Sequence, residues 1–101
     1  RRKKLWENTE YMKRELGNLG YDTGNSDSPV IPLLVGDEFT TFTMAKRLQD
    51  EGVFANPIVP PAVPGGQAMI RTSYMATHTR DQLDTALEAC RNVGRETRMI
   101  Q

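Results

Sequence analysis

The sequence has few of the residues and none of the motifs that typically form metal sites, disulfides and nucleotide-binding sites. It contains one cysteine, Cys90, and one histidine, His78, among its 101 residues, so it cannot form an internal disulfide or supply the paired ligands of a typical zinc site. It has no GxGxxG and no P-loop motif, which leaves a nucleotide-phosphate cradle without support. We therefore expect no metal in this chain.

Net charge and long apolar runs are also missing. Thirteen basic residues cancel thirteen acidic ones, so no overall field attracts nucleic acid or an anionic membrane, and no apolar run approaches membrane-spanning length. We expect neither nucleic acid nor a membrane span, and the single cysteine without a secretory signal favours a cytoplasmic location. Because the chain opens at Arg1 inside a charged pattern, we expect one domain, residues 1–101, excised from a longer protein.

The sequence does contain amphipathic helices alternating with short strand-like runs. Helical spacing of apolar residues, capping signals and stop glycines define the helices, and branched apolar runs define the strands. In the second helix, Phe42, Ala45 and Leu48 form the apolar stripe, and the candidate N-caps are Asp37, Thr40 and Thr41. In order, the predicted elements are a helix over 1–17, a loop over 17–28, a strand over 29–35, a helix over 37–52, strands over 53–55 and 68–75, a helix over 79–94, and a frayed or strand-like tail over 95–101.

This order predicts an α+β fold in which a small, mostly antiparallel sheet is covered on one face by helices. The N-terminal helix, 1–17, precedes a βαββα core over 29–94. Pro32 has no amide hydrogen to donate, so it should lie near the start of its strand or on an edge strand.

The stretch from Asn56 to Tyr74 has the most unusual backbone. Its four prolines, at positions 57, 60, 61 and 64, restrict the chain, and Gly65 and Gly66 then allow a turn before a strand begins at Ala68. A stiff loop, followed by a turn, therefore leads to a strand that carries a single arginine, Arg71.

Arg71 is the main candidate for a binding residue. Alternation along the strand puts Ala68, Ile70, Thr72 and Tyr74 on the core face and Met69, Arg71, Ser73 and Met75 on the other. A planar guanidinium on a rigid strand can bind a carboxylate through two charge-assisted hydrogen bonds. A surface arginine on the solvated side of a sheet is an equally good interpretation of the residues alone, so both stay open.

The other reactive side chains are weaker candidates. Cys90 falls on the apolar stripe of the last helix, where a thiol behaves as a small hydrophobe, and His78 precedes the cap of that helix, where a local structural role is the simpler interpretation. The four lysines, at 3, 4, 13 and 46, lie on polar helix surface and not in the desolvated pocket that Schiff-base chemistry needs. We assign no catalytic residue to this chain.

Several motifs together resemble one family. They are Asp22-Thr-Gly24, Ser28-Pro-Val-Ile-Pro32, Val59-Pro-Pro-Ala-Val-Pro64, Ile70-Arg-Thr-Ser73 and Ala76-Thr-His-Thr79. They look like the C-terminal domain of the α-oxoamine synthases, enzymes dependent on pyridoxal 5'-phosphate (PLP) that include 8-amino-7-oxononanoate synthase, 2-amino-3-ketobutyrate CoA ligase, 5-aminolevulinate synthase and serine palmitoyltransferase. The resemblance runs from Leu5 to Gly94 and is most specific in the proline loop and the arginine after it.

The resemblance implies a site shared between two domains. In this family the small domain closes over an active site built mainly by a larger fold-type-I domain, which also carries the Schiff-base lysine. The family's strand arginine, here Arg71, binds the amino acid's carboxylate. Related synthases often have a second arginine two residues earlier, where this chain has Met69, so no binding role extends there. The family's active-site loop, which closes near the cofactor and the acyl-CoA, corresponds to Val59, Pro60, Pro61, Ala62, Val63 and Pro64.

The activity implied for the complete enzyme is condensation of an amino acid with an acyl-CoA, with decarboxylation in most members, to give an α-oxoamine, with PLP as cofactor. The resemblance also implies a homodimer at full length and an inactive isolated domain. Two other interpretations remain open: the small domain of another fold-type-I enzyme such as an aminotransferase, and a free-standing α+β module for ligand binding or interaction.

Overall fold

A computed structural model gives the fold for residues 2–25 and 27–101. Arg1, which the first predicted helix included, and Ser26, in the predicted loop, lie outside the described residues. The elements are α1 (Arg2–Leu19), β1 (Val30–Gly36), α2 (Glu38–Asp50), β2 (Ala55–Ile58), β3 (Ala68–Ser73) and α3 (Arg80–Glu96). The types of these elements and their order are those predicted.

The three strands form one antiparallel sheet in the order β1-β3-β2. Pro32 lies on edge strand β1, as predicted, and Pro57 lies on the other edge strand, β2, where a residue without an amide hydrogen is tolerated. Part of the outer edge of β1 is covered, since the Leu34 N–H donates to the Asp22 carbonyl over 3.0 Å. The predicted α+β class with a small antiparallel sheet is confirmed.

The core lies between one face of the sheet and the helices. α2 packs on all three strands, and α1 packs on α3 and β1. The predicted core face of β3 is correct, because Ala68, Ile70, Thr72 and Tyr74 are all buried. Each large apolar side chain buried here contributes about 1.5–3 kcal/mol. The largest fully buried apolar side chains are Met12, Leu16, Ile31, Leu33, Met44, Leu48, Ile70, Leu83 and Val93.

The first helix does not stop at Gly17, as predicted, but continues to Leu19. A Cβ at Gly17 would meet nothing within 4 Å, so this glycine is an ordinary position on the helix surface. The helix ends at Gly20, whose φ of +115° lets the chain turn while the Tyr21 N–H donates to the Leu16 carbonyl over 3.2 Å. A glycine in this conformation is a frequent helix C-terminus.

The last helix also passes its predicted stop, Gly94, and runs to Glu96. The tail is neither frayed nor a strand, because the N–H groups of Met99 and Ile100 donate to the Gly94 carbonyl over 2.8 and 3.2 Å. Ile100 is buried at 8% exposure. Gly94 is therefore needed for close packing rather than for ending a helix.

The apolar stripe predicted for α2 is wrong at Phe42, which is 48% exposed. Of the three candidate N-caps, Asp37 caps the helix, since its carboxylate accepts from the Thr40 N–H over 2.7 Å, and Thr40 and Thr41 lie inside the helix. The helix is oriented so that Thr41, and not Phe42, faces the core. The Thr41 hydroxyl donates to the Asp37 carbonyl over 2.6 Å. The buried positions of α2 are Thr41, Met44, Ala45 and Leu48.

The short strand predicted over 53–55 lies farther along, at Ala55–Ile58. Val53 is buried, but its N–H donates to the Leu48 carbonyl over 2.9 Å, so it belongs to the turn that follows α2. As a result, Asn56 and Pro57 are strand residues, and the loop before β3 begins at Val59.

Candidate functional site

The helix-free side of the sheet, here called the open sheet face, presents Arg71 near its centre. In the strand register, Arg71 lies between Pro32 on β1 and Asn56 on β2. Because β3 is hydrogen-bonded on both sides, the backbone at Arg71 is held from both directions. The residues of the open sheet face are Val30, Pro32, Leu34, Asn56, Ile58, Met69, Arg71 and Ser73.

The Arg71 side chain is exposed and has no hydrogen-bond or ion-pair partner among residues 2–25 and 27–101. Two other arginines are paired with carboxylates: Arg47 donates to the Glu96 carboxylate over 2.8 Å, and Arg91 lies 3.2 Å from Glu88. No Asp or Glu belongs to the open sheet face. The Arg71 guanidinium is thus free to donate to an external anion, and a planar fork suits a carboxylate.

The proline loop, residues 59–64, is the first part of the connection between β2 and β3, which continues through residue 67. Its backbone turns twice, with Ala62 N–H donating to the Val59 carbonyl over 3.0 Å and Gln67 N–H donating to the Pro64 carbonyl over 3.1 Å. The Pro60–Pro61 peptide bond is cis. Among the predicted loop residues, Val59, Pro60 and Val63 are half-buried and Pro61, Ala62 and Pro64 are exposed.

The loop and Arg71 lie on neighbouring parts of the sheet without a direct hydrogen bond. Ile58, the last residue before the loop, pairs with Met69, which is two residues, about 7 Å, from Arg71 along the strand. Two residues beyond the loop, Gly66 is close to β1, because a Cβ at Gly36 would lie 3.3 Å from the Gly66 carbonyl oxygen. The loop therefore borders the open sheet face.

The turn after β3 is held by Asn8, a residue that the sequence analysis did not single out. Asn8 is 2% exposed, and its side-chain amide donates to the carbonyls of Met75 (2.9 Å) and His78 (3.2 Å). The His78 Nδ1 accepts from the Met75 N–H over 2.8 Å, which supports the local structural interpretation of this histidine. The sequence feature that could have identified Asn8 is its four-residue spacing from Met12 and Leu16, which places this polar residue on the buried face of α1.

The remaining candidates do not form a reactive centre. Cys90 is buried, and burial raises the pKa of its thiol to about 12. Lys46 is exposed and pairs with Asp50 over 3.0 Å, and none of the other lysines is buried either. Within the described ranges, no three His, Cys, Asp or Glu residues are grouped so as to hold a metal ion. Within the same ranges, no helix is both long and apolar enough to cross a membrane.

The sequence of residues 1–90 matches the family described as Aminotransferase class I and II, so the chain belongs to this family. Within it, the chain is similar to 8-amino-7-oxononanoate synthase of Symbiobacterium thermophilum, with 50% identity over 96% of this chain and 25% of the relative. It is also similar to serine palmitoyltransferase of Sphingobacterium spiritivorum, with 50% identity over 83% of this chain and 21% of the relative. Both enzymes are members of the family predicted from the motifs, so the predicted resemblance is confirmed.

Solved structures agree with these sequence relatives. The fold matches Sphingomonas wittichii serine palmitoyltransferase with a TM-score of 0.91 and 28% identity, over 99% of this chain and 26% of that chain. It matches a serine palmitoyltransferase solved with PLP with a TM-score of 0.90 and 31% identity, over 98% and 25% of the two chains. The chain thus spans about a quarter of the length of the relatives it matches.

Proposed function

We propose that this chain is the substrate-closing domain of a PLP-dependent α-oxoamine synthase, which condenses an amino acid with an acyl-CoA. The observation that carries the proposal is the guanidinium of Arg71 near the centre of the open sheet face, which has no partner among residues 2–25 and 27–101, in a chain whose relatives are named 8-amino-7-oxononanoate synthase and serine palmitoyltransferase. In this proposal the complete enzyme is a cytoplasmic homodimer, and the isolated domain is inactive.

The described residues do not fit a PLP site of their own. A lysine that binds an aldehyde cofactor needs a desolvated environment that lowers its pKa, whereas Lys3, Lys4 and Lys46 are exposed and Lys13 is only half-buried. We therefore assign the cofactor to the larger part of the enzyme, and the role of this domain is limited to binding and enclosing substrate.

Arg71 would bind the carboxylate of the amino acid through two parallel N–H···O hydrogen bonds. Three features of its environment support this role. The backbone of β3 is fixed by strands on both sides, no acidic neighbour on the open sheet face competes for the guanidinium, and the flanking side chains of Pro32 and Met69 carry no charge. A carboxylate held in one plane also fixes the orientation of the α-carbon beside it, which favours cleavage of one bond over the others.

Residues 59–64 would form the part of the domain that closes over the bound substrate. Prolines lose little conformational entropy on ordering, so such a loop can cover a ligand at low cost. Exclusion of water would strengthen the charge pair between Arg71 and the carboxylate.

Replacement of Arg71 tests the proposal in the complete enzyme. Arg71→Ala should weaken amino-acid binding by roughly 2–5 kcal/mol, the range for losing one partner of a buried charge pair, or roughly thirtyfold to several-thousandfold. Arg71→Lys should recover part of the loss, since it keeps the charge but not the fork. The measurement is the KM for the amino acid alongside the KM for the acyl-CoA, with Arg91→Ala as a surface control. An unchanged dependence of rate on amino-acid concentration would refute the role.

A second candidate is the small domain of an aminotransferase, which the family name itself includes. An aminotransferase also binds a substrate carboxylate but uses no thioester, so release of free CoA that depends on acyl-CoA distinguishes the two activities. The identities of 43–50% to synthases favour the first candidate.

A third candidate is a free-standing module that binds an amino acid through Arg71. Titration of the 101-residue chain with glycine, serine and alanine distinguishes it from the first. Saturable changes around Arg71 at micromolar ligand would favour the module, whereas a site shared with a larger domain predicts no such binding.

A further inference from the structure

An apolar groove lies at the end of the sheet opposite the proline loop. It is formed where the start of α1, the start of β1 and the turn after β3 meet, and its volume is about 640 Å³. Most of its wall is apolar, with Leu5 from α1, Pro29 and Val30 from β1, and Met75 and Ala76 from the turn. No acidic side chain lines it.

The groove is continuous with the open sheet face. Val30 and Ser73 form a strand pair and line the groove, and the next pair on the same face is Pro32 with Arg71. Groove and open sheet face therefore form a single surface that no helix of the described chain covers.

The shape of this surface fits a macromolecular partner better than a small ligand. Small-molecule sites enclose most of the ligand, whereas Met75 on the groove wall is 63% exposed. Contiguous apolar surface of this kind usually marks an interaction site. The turn that contains Met75 is also fixed, because the side-chain amide of Asn8 donates to the Met75 carbonyl over 2.9 Å.

The relatives indicate what the partner is. This chain corresponds to 25% of one synthase relative and 21% of a palmitoyltransferase relative, so each relative has about three quarters of its polypeptide outside the matched region. We propose that the groove is the docking surface for that larger part of a synthase chain, with Leu5, Val30 and Met75 at the centre of the contact. This inference rests on the proposed function for the existence of a larger part, but it does not depend on the role of Arg71.

Hydroxyl-radical footprinting tests the docking surface. The 101-residue chain is compared with a fusion in which the preceding part of the Symbiobacterium thermophilum synthase is joined to it. Oxidation of Met75 should be several-fold slower in the fusion. Phe39, which is 79% exposed on α2, should keep its reactivity, and the fully buried Met12 and Met44 should stay protected in both. Equal reactivity of Met75 in the two chains would overturn the inference.

Other occupants of the groove give different results. If protection of Met75 in the 101-residue chain increases with protein concentration, a second copy of the chain occupies the groove. If Met75 in the fusion is protected only after acyl-CoA is added, the acyl chain occupies it. Either result overturns the proposal. Acyl-CoA-dependent activity of the fusion is recorded separately, so loss of activity with Met75 protected would contradict the proposed function and leave the docking surface standing.

A matched pair of variants gives a test that does not use oxidation. Met75→Glu should lower the melting temperature of the fusion but not that of the 101-residue chain, because the charge would be buried only in the fusion. Phe54→Glu, at a residue that is 73% exposed and outside the groove, should change neither. If the fusion does not fold, the preceding part of the synthase is titrated as a separate polypeptide, and its binding to the short chain should be weakened by Met75→Glu alone. Equal effects of the two variants would refute the docking surface.

Discussion

Gly94→Ala should destabilise the protein even though alanine is the better helix former. Gly94 lies inside α3, where the exchange would normally gain about 1 kcal/mol. At this position, however, a Cβ would overlap the Tyr21 hydroxyl and lie 2.8 Å from Cγ1 of Ile100. Both neighbours are themselves buried, so neither can move away into solvent without losing contacts.

The size of the destabilisation can be estimated from the side chains that the new methyl group would displace. Overpacking of a buried site costs about 1–3 kcal/mol. Displacement of Tyr21 also breaks the hydrogen bond from its hydroxyl to the Cys90 carbonyl, which is 2.7 Å long and buried, at a cost of about 1–3 kcal/mol. After subtraction of the helix gain, the net loss is about 1–5 kcal/mol; its midpoint of about 3 kcal/mol corresponds to a fall in melting temperature of roughly 12–24 °C for a domain of this size.

Urea denaturation followed by circular dichroism measures the effect, and Gly17→Ala is the matched control. Gly17 is also inside a helix, but a Cβ there would meet nothing within 4 Å, so this variant should be stabilised by up to about 1 kcal/mol. Tyr21→Phe removes the oxygen that the new methyl group would overlap, so Tyr21→Phe with Gly94→Ala should cost less than the sum of the single changes. A Gly94→Ala variant as stable as the parent would refute the close approach of α3, Tyr21 and the tail.

Two further predictions concern titratable groups. Because burial raises the pKa of Cys90 to about 12, its thiol should resist Ellman's reagent under native conditions and react only as urea unfolds the chain; rapid labelling of the folded protein would contradict its burial. The pKa of Glu96 is lowered by its hydrogen bond to Arg47, so this pair adds stability that is present above the unfolded-state pKa and is lost as pH falls through the folded-state value. Glu96→Gln should therefore lower the urea midpoint at neutral pH and not in strong acid, and an equal deficit at both would exclude the ion pair as the cause.

The faces of β3 could be predicted from the sequence because strand alternation is a local property. Four successive core positions from Ala68 to Tyr74 are buried, and Arg71 accordingly lies on the other face. The environment of Arg71 could not be predicted in the same way. Its neighbours across the sheet, Pro32 and Asn56, come from strands distant in sequence, so only the register shows that no carboxylate lies beside it.

The errors at Phe42 and Gly94 arise because packing across elements overrides local pattern. Phe42 is apolar, yet α2 packs on the sheet with Thr41, Met44, Ala45 and Leu48 buried and Phe42 exposed. Gly94 looks like a helix stop, but its role comes from Tyr21, a residue far away in sequence. The same holds for Asn8, whose partners lie in the turn after β3.

The strand order has a consequence for how the protein is made. β3 is the last strand in the chain but the central one in the sheet, and β1 and β2 pair with it and not with each other. During synthesis from the N-terminus, therefore, the first two strands have no partner until residues 68–73 insert between them. The strand that carries Arg71 is also the one that completes the sheet, so a partly synthesised or truncated chain cannot display the arginine on a formed surface.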